Sequence, residues 1–371
     1  MIRVSVTELQ DYMRCRRAWD YGSPYRQALE KIGKPVAALH LGTAVHHGVA
    51  APIFGDDPET ALETWYAEER VKIAEDHIKA TGNPLTPADL TALDEQKQLA
   101  MGMVRHYFQR YGKNPIDPFE YIAAEMTLEI PLPFTDTKGE SVSLVGTIDG
   151  VALDEHGRVW VVERKSYSIK PDLKALQLDH QETGYGFMLQ ACIREPIAGV
   201  LYDGLNKKLP KAPKVLKDGS LSVEWNDNVT ASSFMEAMYD NGQEMNPKYE
   251  AFLKRLRIRD MAGQTPFFTR HRIQLTQNQI ERWKNDMFLC IKEIANDPDI
   301  YPHRAWSGCW DCWFQDLCDT KTLHGDMEEN VIKEVRYRKG DYRPQYKTKA
   351  RVTPDNVHSV QELRELLMTS A

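Results

Sequence analysis

Residues 142–166 read VSLVGTIDGVALDEHGRVWVVERKS, and the reading of this stretch decides the fold. Val142–Leu153 and Arg158–Ser166 are rich in β-branched residues and read as two strands. DEHG at 154–157 reads as the tight turn between them. Working outward, Tyr121–Leu132 reads as a preceding strand, Leu173–Cys192 as a following helix and Ile197–Leu205 as an apolar strand. This β-β-β-α-β order, with helices before it, predicts an α/β (α+β) fold with a mixed central sheet flanked by helices.

The amino-terminal third is expected to be helical. Ser5–Trp19 reads as a short helix with Ser5 or Thr7 as N-cap, and Val36–Ala50 as a second one containing LGTAVHHGV. Amphipathic patterns cover Pro58–Ala80 and Pro87–Tyr111, separated by the turn-like TGNPLTP. Beyond the central strands, residues 206–227 are Lys-, Pro- and Gly-rich and read as a loop or hairpin insertion. Helix is expected over Ala231–Arg257 and Gln277–Asn296, with a strand in PFFTRHRIQL at 266–275 between them.

Composition narrows the class. The chain has 371 residues, 42% apolar and 27% charged, the balance of a folded soluble protein. The first residues, MIRVSVTELQDYMRCRR, lack the apolar core of a secretory signal peptide. No apolar run approaches the ~20 residues that span a bilayer. A cytoplasmic protein without a membrane partner is therefore expected. A net charge of -7 argues against a basic coat, yet a nucleic-acid groove needs only local positive charge.

Asp149 lies in GTIDG near one strand end, and Glu163 and Lys165 share a face of the next strand. Carboxylates converging from neighbouring strands can hold Mg²⁺ or Mn²⁺. Phosphodiester hydrolysis uses such an ion, and a nearby lysine can orient water or offset developing charge. Taken singly, an E-x-K is ordinarily a solvated charge pair and an Asp before Gly a turn residue.

Their order is more specific. GTIDG, followed by ERK with Glu163 fourteen residues after Asp149, resembles the core motif of the PD-(D/E)XK nuclease superfamily. DHQETGY places Gln181 and Tyr185 on one helical face, and this Q-x-x-x-Y is similar to the RecB-like nucleases, the CRISPR-associated Cas-four family among them. LGTAVHHGV resembles the G-x-x-x-H helix of the same group. The resemblance implies His46, rather than its neighbour His47, as a metal ligand, with Gly42 allowing close helix approach. It also implies one or two Mg²⁺ or Mn²⁺ ions on His46, Asp149, Glu163 and the Arg164 carbonyl. Lys165 would then position water, with Gln181 and Tyr185 supporting the site or contacting the nucleic-acid backbone.

Six cysteines occur, and Cys309-x2-Cys312-x5-Cys318 has metal-ligand spacing. Alone this could be part of a zinc site, with a fourth ligand from elsewhere. Cys15, in SVTELQDYMRCRRAW, resembles the early cysteine of the iron–sulfur nucleases of the Cas-four type and the AddB nuclease domain. By that resemblance Cys15, Cys309, Cys312 and Cys318 hold a [4Fe–4S] cluster clasping the two ends of the domain, with structural Zn²⁺ the alternative. Arg16 stands where that group usually has proline. Cys192 and Cys290 read as core residues, and Trp310 and Trp313 as packing around the cluster.

Residues 331–351, VIKEVRYRKGDYRPQYKTKAR, hold eight Lys/Arg against two acids with three interleaved tyrosines. Tyr337, Arg338 and Lys339 are candidate nucleic-acid contacts in what reads as a basic tail over 331–371. Arg14, Arg16, Arg17, Arg270 and Arg272 are further candidates for phosphate contact.

The domain expectation is one nuclease domain over 1–330, with a helical insertion at about 56–112. The expected function is a metal-dependent DNA exonuclease acting at DNA ends, on single-stranded DNA or a frayed duplex. Its expected setting is recombination, replication or repair, as a stand-alone enzyme. No GxxxxGK[ST] loop occurs, so no helicase motor is recognisable. A phage-encoded enzyme working in the host cytoplasm fits this reading, with a recombination or replication protein as candidate partner. The alternatives are an accessory nuclease of CRISPR spacer acquisition and a non-catalytic iron–sulfur nucleic-acid-binding module.

Overall fold

The computed structural model describes residues 2–32, 40–112, 119–177, 179–303, 309–310, 312–340 and 351–370. The chain opens with β1 (Ile2–Ser5), α1 (Val6–Arg14), α2 (Arg16–Gly22), β2 (Leu29–Lys31) and α3 (His40–Ala50). Two long helices follow, α4 (Pro58–Thr81) and α5 (Pro87–Tyr111). The central segment is β3 (Glu120–Thr135), β4 (Ser141–Leu153), β5 (Val159–Tyr167), α6 (Leu173–Gln177), α7 (His180–Ile193) and β6 (Ile197–Asn206). Next come α8 (Ala231–Asp240), α9 (Pro247–Met261), β7 (Phe268–Gln274) and α10 (Gln277–Ala295). The chain closes with α11 (Gln315–His324), α12 (Asp326–Arg336), β8 (Tyr337–Lys339), β9 (Arg351–Val352) and α13 (Val360–Ser370).

The mixed sheet runs β7-β6-β5-β4-β3-β9, with β1 parallel to the other end of β4. β5 and β6 are parallel; β3–β4, β4–β5 and β6–β7 are antiparallel. Asp154 explains the β4–β5 hairpin. Its carboxylate accepts the backbone N–H of His156 at 2.9 Å and of Arg158 at 3.0 Å, the Arg158 Nε at 2.7 Å and the Trp160 Nε1 at 3.0 Å. Burial works against that charge, yet the Trp160 bond and the others hold its carboxyl well below the usual range.

Alternation along β5 sorts the site. Val159 and Val161 enter the main core with Tyr185, Met188 and Leu189 of α7 and Trp283 and Met287 of α10. Trp160 and Val162 face the opposite way, with Phe119, Ala152 and Leu201. Each fully buried valine or leucine contributes ~1.5–3 kcal/mol. A second cluster joins α3, α4 and α5 to Leu205, Phe267 and Phe268. The two long helices begin as their sequences dictate: Asp57 caps α4, and Thr86 and Asp89 form a capping box on α5.

Several boundaries differ from expectation. Ser5 caps α1 through Glu8 N–H at 3.0 Å, but the helix stops at Cys15, which is extended, and α2 starts anew. The expected start of the next helix at Val36 lies outside the described residues. The Leu173–Cys192 span splits because Asp179 caps a fresh helix through Gln181 N–H at 2.7 Å. The expected basic tail is not detached. Tyr337–Lys339 pairs with β2, Arg351–Val352 adds to the β3 edge, and Val352, Val357 and Leu363 are fully buried. Its residues 341–350 lie outside the described residues.

Candidate metal centre

Glu125, Asp149 and Glu163 come from three adjacent strands. The pairs Ala124–Gly150 and Met126–Ile148 bracket Glu125 opposite Asp149, and Gly150 opposite Val162 brings Asp149 alongside Glu163. Helix α3 supplies His46, whose Nδ1 stands 3.1 Å from Asp149 Oδ1. His46, Glu125 and Asp149 each offer a ligand atom within 4.8 Å of the others.

Glu125 was missed from sequence. Its φ of 47° is left-handed, a conformation costing ~1–2 kcal/mol outside glycine. Its Oε1 is buried and has no hydrogen-bond partner. Burial first, then the charge of Asp149, push its carboxyl up to about 7. A strained, orphaned carboxylate beside two further ligand atoms fits a hard divalent cation. The available signal was the pair of acids Glu125 and Glu129 inside AAEMTLEI, a strand whose remaining residues, Thr127 apart, are apolar.

Asp149 is held ionised. Burial opposes its charge, but His46, Arg164 and Lys165 together keep the carboxyl below its ordinary range. Burial likewise opposes His46 protonation, and the Asp149 charge overrides it and raises the imidazole. Metal ligation by His46 uses the neutral imidazole, so it competes with the protonated form that Asp149 favours.

Glu163 is nearly inaccessible, and burial, then Asp149, push it up to about 7. Its Oε1 pairs with Lys165 Nζ instead of joining the group made by His46, Glu125 and Asp149. Burial opposes the Lys165 charge, but this pairing raises the ammonium. Lys165 Nζ also donates to Gln181 Oε1 at 3.1 Å, and Gln181 Nε2 donates to Tyr185 OH at 3.1 Å. The expected shared face of Gln181 and Tyr185 thus leads directly to Lys165. Gly146 of GTIDG makes room for this: a Cβ there would stand 2.8 Å from Tyr185 Cε1. The close approach expected at Gly42 is found at Gly48, where a Cβ would meet Leu62 and Val104 at 2.9 Å; at Gly42 it would lie 3.4 Å from Ser166 Oγ.

Arg164 points to the other face of β5 and is fully buried. Its backbone N–H donates to Asp149 Oδ2 at 2.6 Å, and its NH1 donates to the Asp149 carbonyl at 2.9 Å. Beyond it, Asp203 accepts Arg270 Nε at 3.0 Å and Tyr107 OH at 2.7 Å. This ties α5, β6 and β7 behind the metal strands.

With that geometry in place, the family model that matches decides the assignment: the PD-(D/E)XK nuclease superfamily, over residues 3–319. The chain belongs to the PD-(D/E)XK nuclease superfamily. No curated protein matches the sequence. The solved structure titled "Crystal structure of SSO0001" is similar at 12% identity, covering 86% of each chain, with a TM-score of 0.31, too low to bear on fold or function.

Elsewhere in this PD-(D/E)XK nuclease, Arg270 departs from expectation. Its guanidinium is 7% exposed, paired with Asp203 and 3.7 Å from the Tyr111 ring centroid, which leaves no face for a phosphate. Tyr337 is buried with its hydroxyl on the Trp313 carbonyl at 2.8 Å, so it cannot stack on a base. Arg16 pairs with Glu293 at 2.7 Å, Arg272 with Glu155 at 3.0 Å and Arg338 with Glu30 at 3.4 Å. Lys339 is exposed on β8. Arg14 accepts a contact from His303 Nδ1 at its carbonyl, 3.1 Å away, and Arg17 NH1 lies 3.9 Å from Cys318 Sγ.

The chain ends do meet around the cysteines. His303 N–H donates to Cys15 Sγ at 3.3 Å. Burial first, and then neighbouring Cys15 and Cys309, raise the Cys312 thiol against the Phe314 N–H and Arg14. Among the described residues, however, no three cysteines bring their sulfurs within 4.8 Å of one another. One zinc ion holds its thiolates at about 2.3 Å, hence close together, so the zinc alternative finds no shell here. No clustered set of thiols for an iron–sulfur centre is evident among them either. Trp310 is 77% exposed. Cys192 is a core residue, its thiol pushed up to about 12 by burial. No described helix is long and apolar enough to cross a membrane.

Proposed function

We propose that this chain is a deoxyribonuclease that degrades DNA from its ends, with single-stranded DNA or a frayed duplex end as substrate. The observation that carries the proposal is the His46–Glu125–Asp149 ligand group with Lys165 beside it. Mg²⁺ or Mn²⁺, one ion or two, would supply Lewis acidity for activating water and offsetting phosphate charge. Glu163 and the Arg164 carbonyl are further candidate ligands by family resemblance. Lys165, kept charged by Glu163 and oriented by Gln181, places a cation where it can align water or meet a phosphate oxygen. Arg164 ties β5 to β4 through the Asp149 carbonyl, and the Tyr185 hydroxyl holds the Gln181 amide that faces Lys165.

Recombination, replication or repair in the cytoplasm is the setting we infer, which suits an enzyme of DNA ends. The [4Fe–4S] reading of Cys15, Cys309, Cys312 and Cys318 is retained as a proposal. It is supported by the resemblance and by the meeting of the two chain segments, not by the sulfur positions. Iron and sulfide content of anaerobically purified protein tests it, and bound zinc or neither metal overturns it.

Degradation of linear and closed circular DNA, single- and double-stranded, with Mg²⁺ or Mn²⁺ tests the activity. Linear single strands should be consumed and closed circles left intact. Cleavage of closed circles would instead make the chain an endonuclease.

A further inference from the structure

We propose that the lysine-rich segment 207–217 is a phosphate-binding strap that holds the DNA strand beside the metal centre. The proposal rests on the deoxyribonuclease reading above and names a binding surface for its substrate.

Residues 207–217 read KKLPKAPKVLK, five lysines without an acid in a chain of net charge -7. Lys208, Lys211, Lys214 and Lys217 are exposed. None of them makes an ion pair or hydrogen bond through its ammonium group among the described residues. Other cations contrast with this: Arg3, Arg16, Arg26, Arg105 and Arg270 are each committed to a carboxylate. Unpaired ammonium groups are free to exchange their counterions for phosphates.

The segment begins at the right place. β5 and β6 are parallel, and Lys207 N–H donates to the Tyr167 carbonyl at 2.8 Å. Tyr167 is two residues past Lys165, so the strap starts roughly 7 Å along the strand from the position of that lysine.

Its backbone is fixed although it forms no regular element. Leu209 lies against α5, where a Cβ on Gly102 would come within 2.5 Å of it. Lys211 N–H donates to the Asn228 carbonyl at 2.7 Å, and Ser233 Oγ donates to the Lys211 carbonyl at 3.1 Å. The Lys214 carbonyl accepts Ser222 N–H at 2.8 Å, and Val215 bridges to Leu221. Lys208, Lys211, Lys214 and Lys217 recur every third residue, with Pro210 and Pro213 between them. Of the nearby acids, Asp94 of α5 is paired with Arg70 at 3.0 Å, while Asp218, next to Lys217, keeps its negative charge and accepts Ser220 N–H at 3.0 Å and its hydroxyl at 2.7 Å. Glu95 is the remaining acid beside Leu209.

The test is the binding of a fluorescent single-stranded oligonucleotide, followed by anisotropy across a salt series with Ca²⁺ present. Wild type is compared with the quadruple variant Lys208→Gln, Lys211→Gln, Lys214→Gln, Lys217→Gln. The variant should melt at the wild-type temperature, bind at least tenfold more weakly at low salt, and raise KM with kcat kept. The slope of log Kd against log salt should shrink by about 0.7 for each phosphate that no longer meets a lysine. The corresponding quadruple arginine variant should bind like wild type. A glutamine variant with wild-type Kd and slope overturns the strap alone. Wild-type protein that neither binds nor cleaves DNA overturns the deoxyribonuclease reading, and the strap with it.

Discussion

Arg164 grips Asp149 twice, through its backbone N–H to Oδ2 at 2.6 Å and through its guanidinium to the carbonyl at 2.9 Å. One residue thus fixes both the carboxylate and the peptide of a candidate ligand, from inside the core. Residues that orient ligands in this way typically change metal affinity or activity by about 10–100-fold when removed. Arg164→Met should weaken Mn²⁺ binding by that factor in calorimetric titration. Arg164→Lys should not restore it, because one ammonium lacks the planar fork. Wild-type affinity in the methionine variant would show that the grip is incidental.

The sequence made Asp149, Glu163 and Lys165 visible because a hairpin of two short strands fixes their relative places, and its Asp154 turn is a local feature. His46 was reachable only through the spacing of its helix. Glu125 was not legible, since its role depends on a long-range strand register and a backbone torsion that no local pattern announces. The fate of Arg270 was hidden for the same reason: its partners Asp203 and Tyr107 are 67 and 163 residues away. Burial cannot be read from a charge written in a strand.

Glu125 trades stability for function. Glu125→Gly removes the left-handed strain and a buried carboxylate, offset in part by the ~0.5–1 kcal/mol entropy cost of glycine in a strand. The metal-free variant should melt above wild type, while its Mn²⁺-dependent cleavage falls by roughly tenfold or more. A lower melting temperature with full cleavage would contradict both parts.

Glu182 links stability to pH. Burial first, then Asp179, push its carboxyl up to about 8, whereas an unfolded glutamate titrates near ~4.3. Between those values the folded state holds a proton that the unfolded state releases, so stability falls as pH rises. Glu182→Gln should therefore melt above wild type, by a margin that is small at pH 5 and grows toward pH 8. Parallel melting curves across that range would rule out this titration.

The decisive measurement is metal-dependent release of nucleotides from labelled linear single-stranded DNA by wild type, Asp149→Ala and Lys165→Ala. Wild type should cleave with Mg²⁺ or Mn²⁺ and stop when the metal is chelated, and each variant should lose roughly 10²–10⁴-fold in rate. Full metal-dependent cleavage by either variant would contradict the assignment of this site.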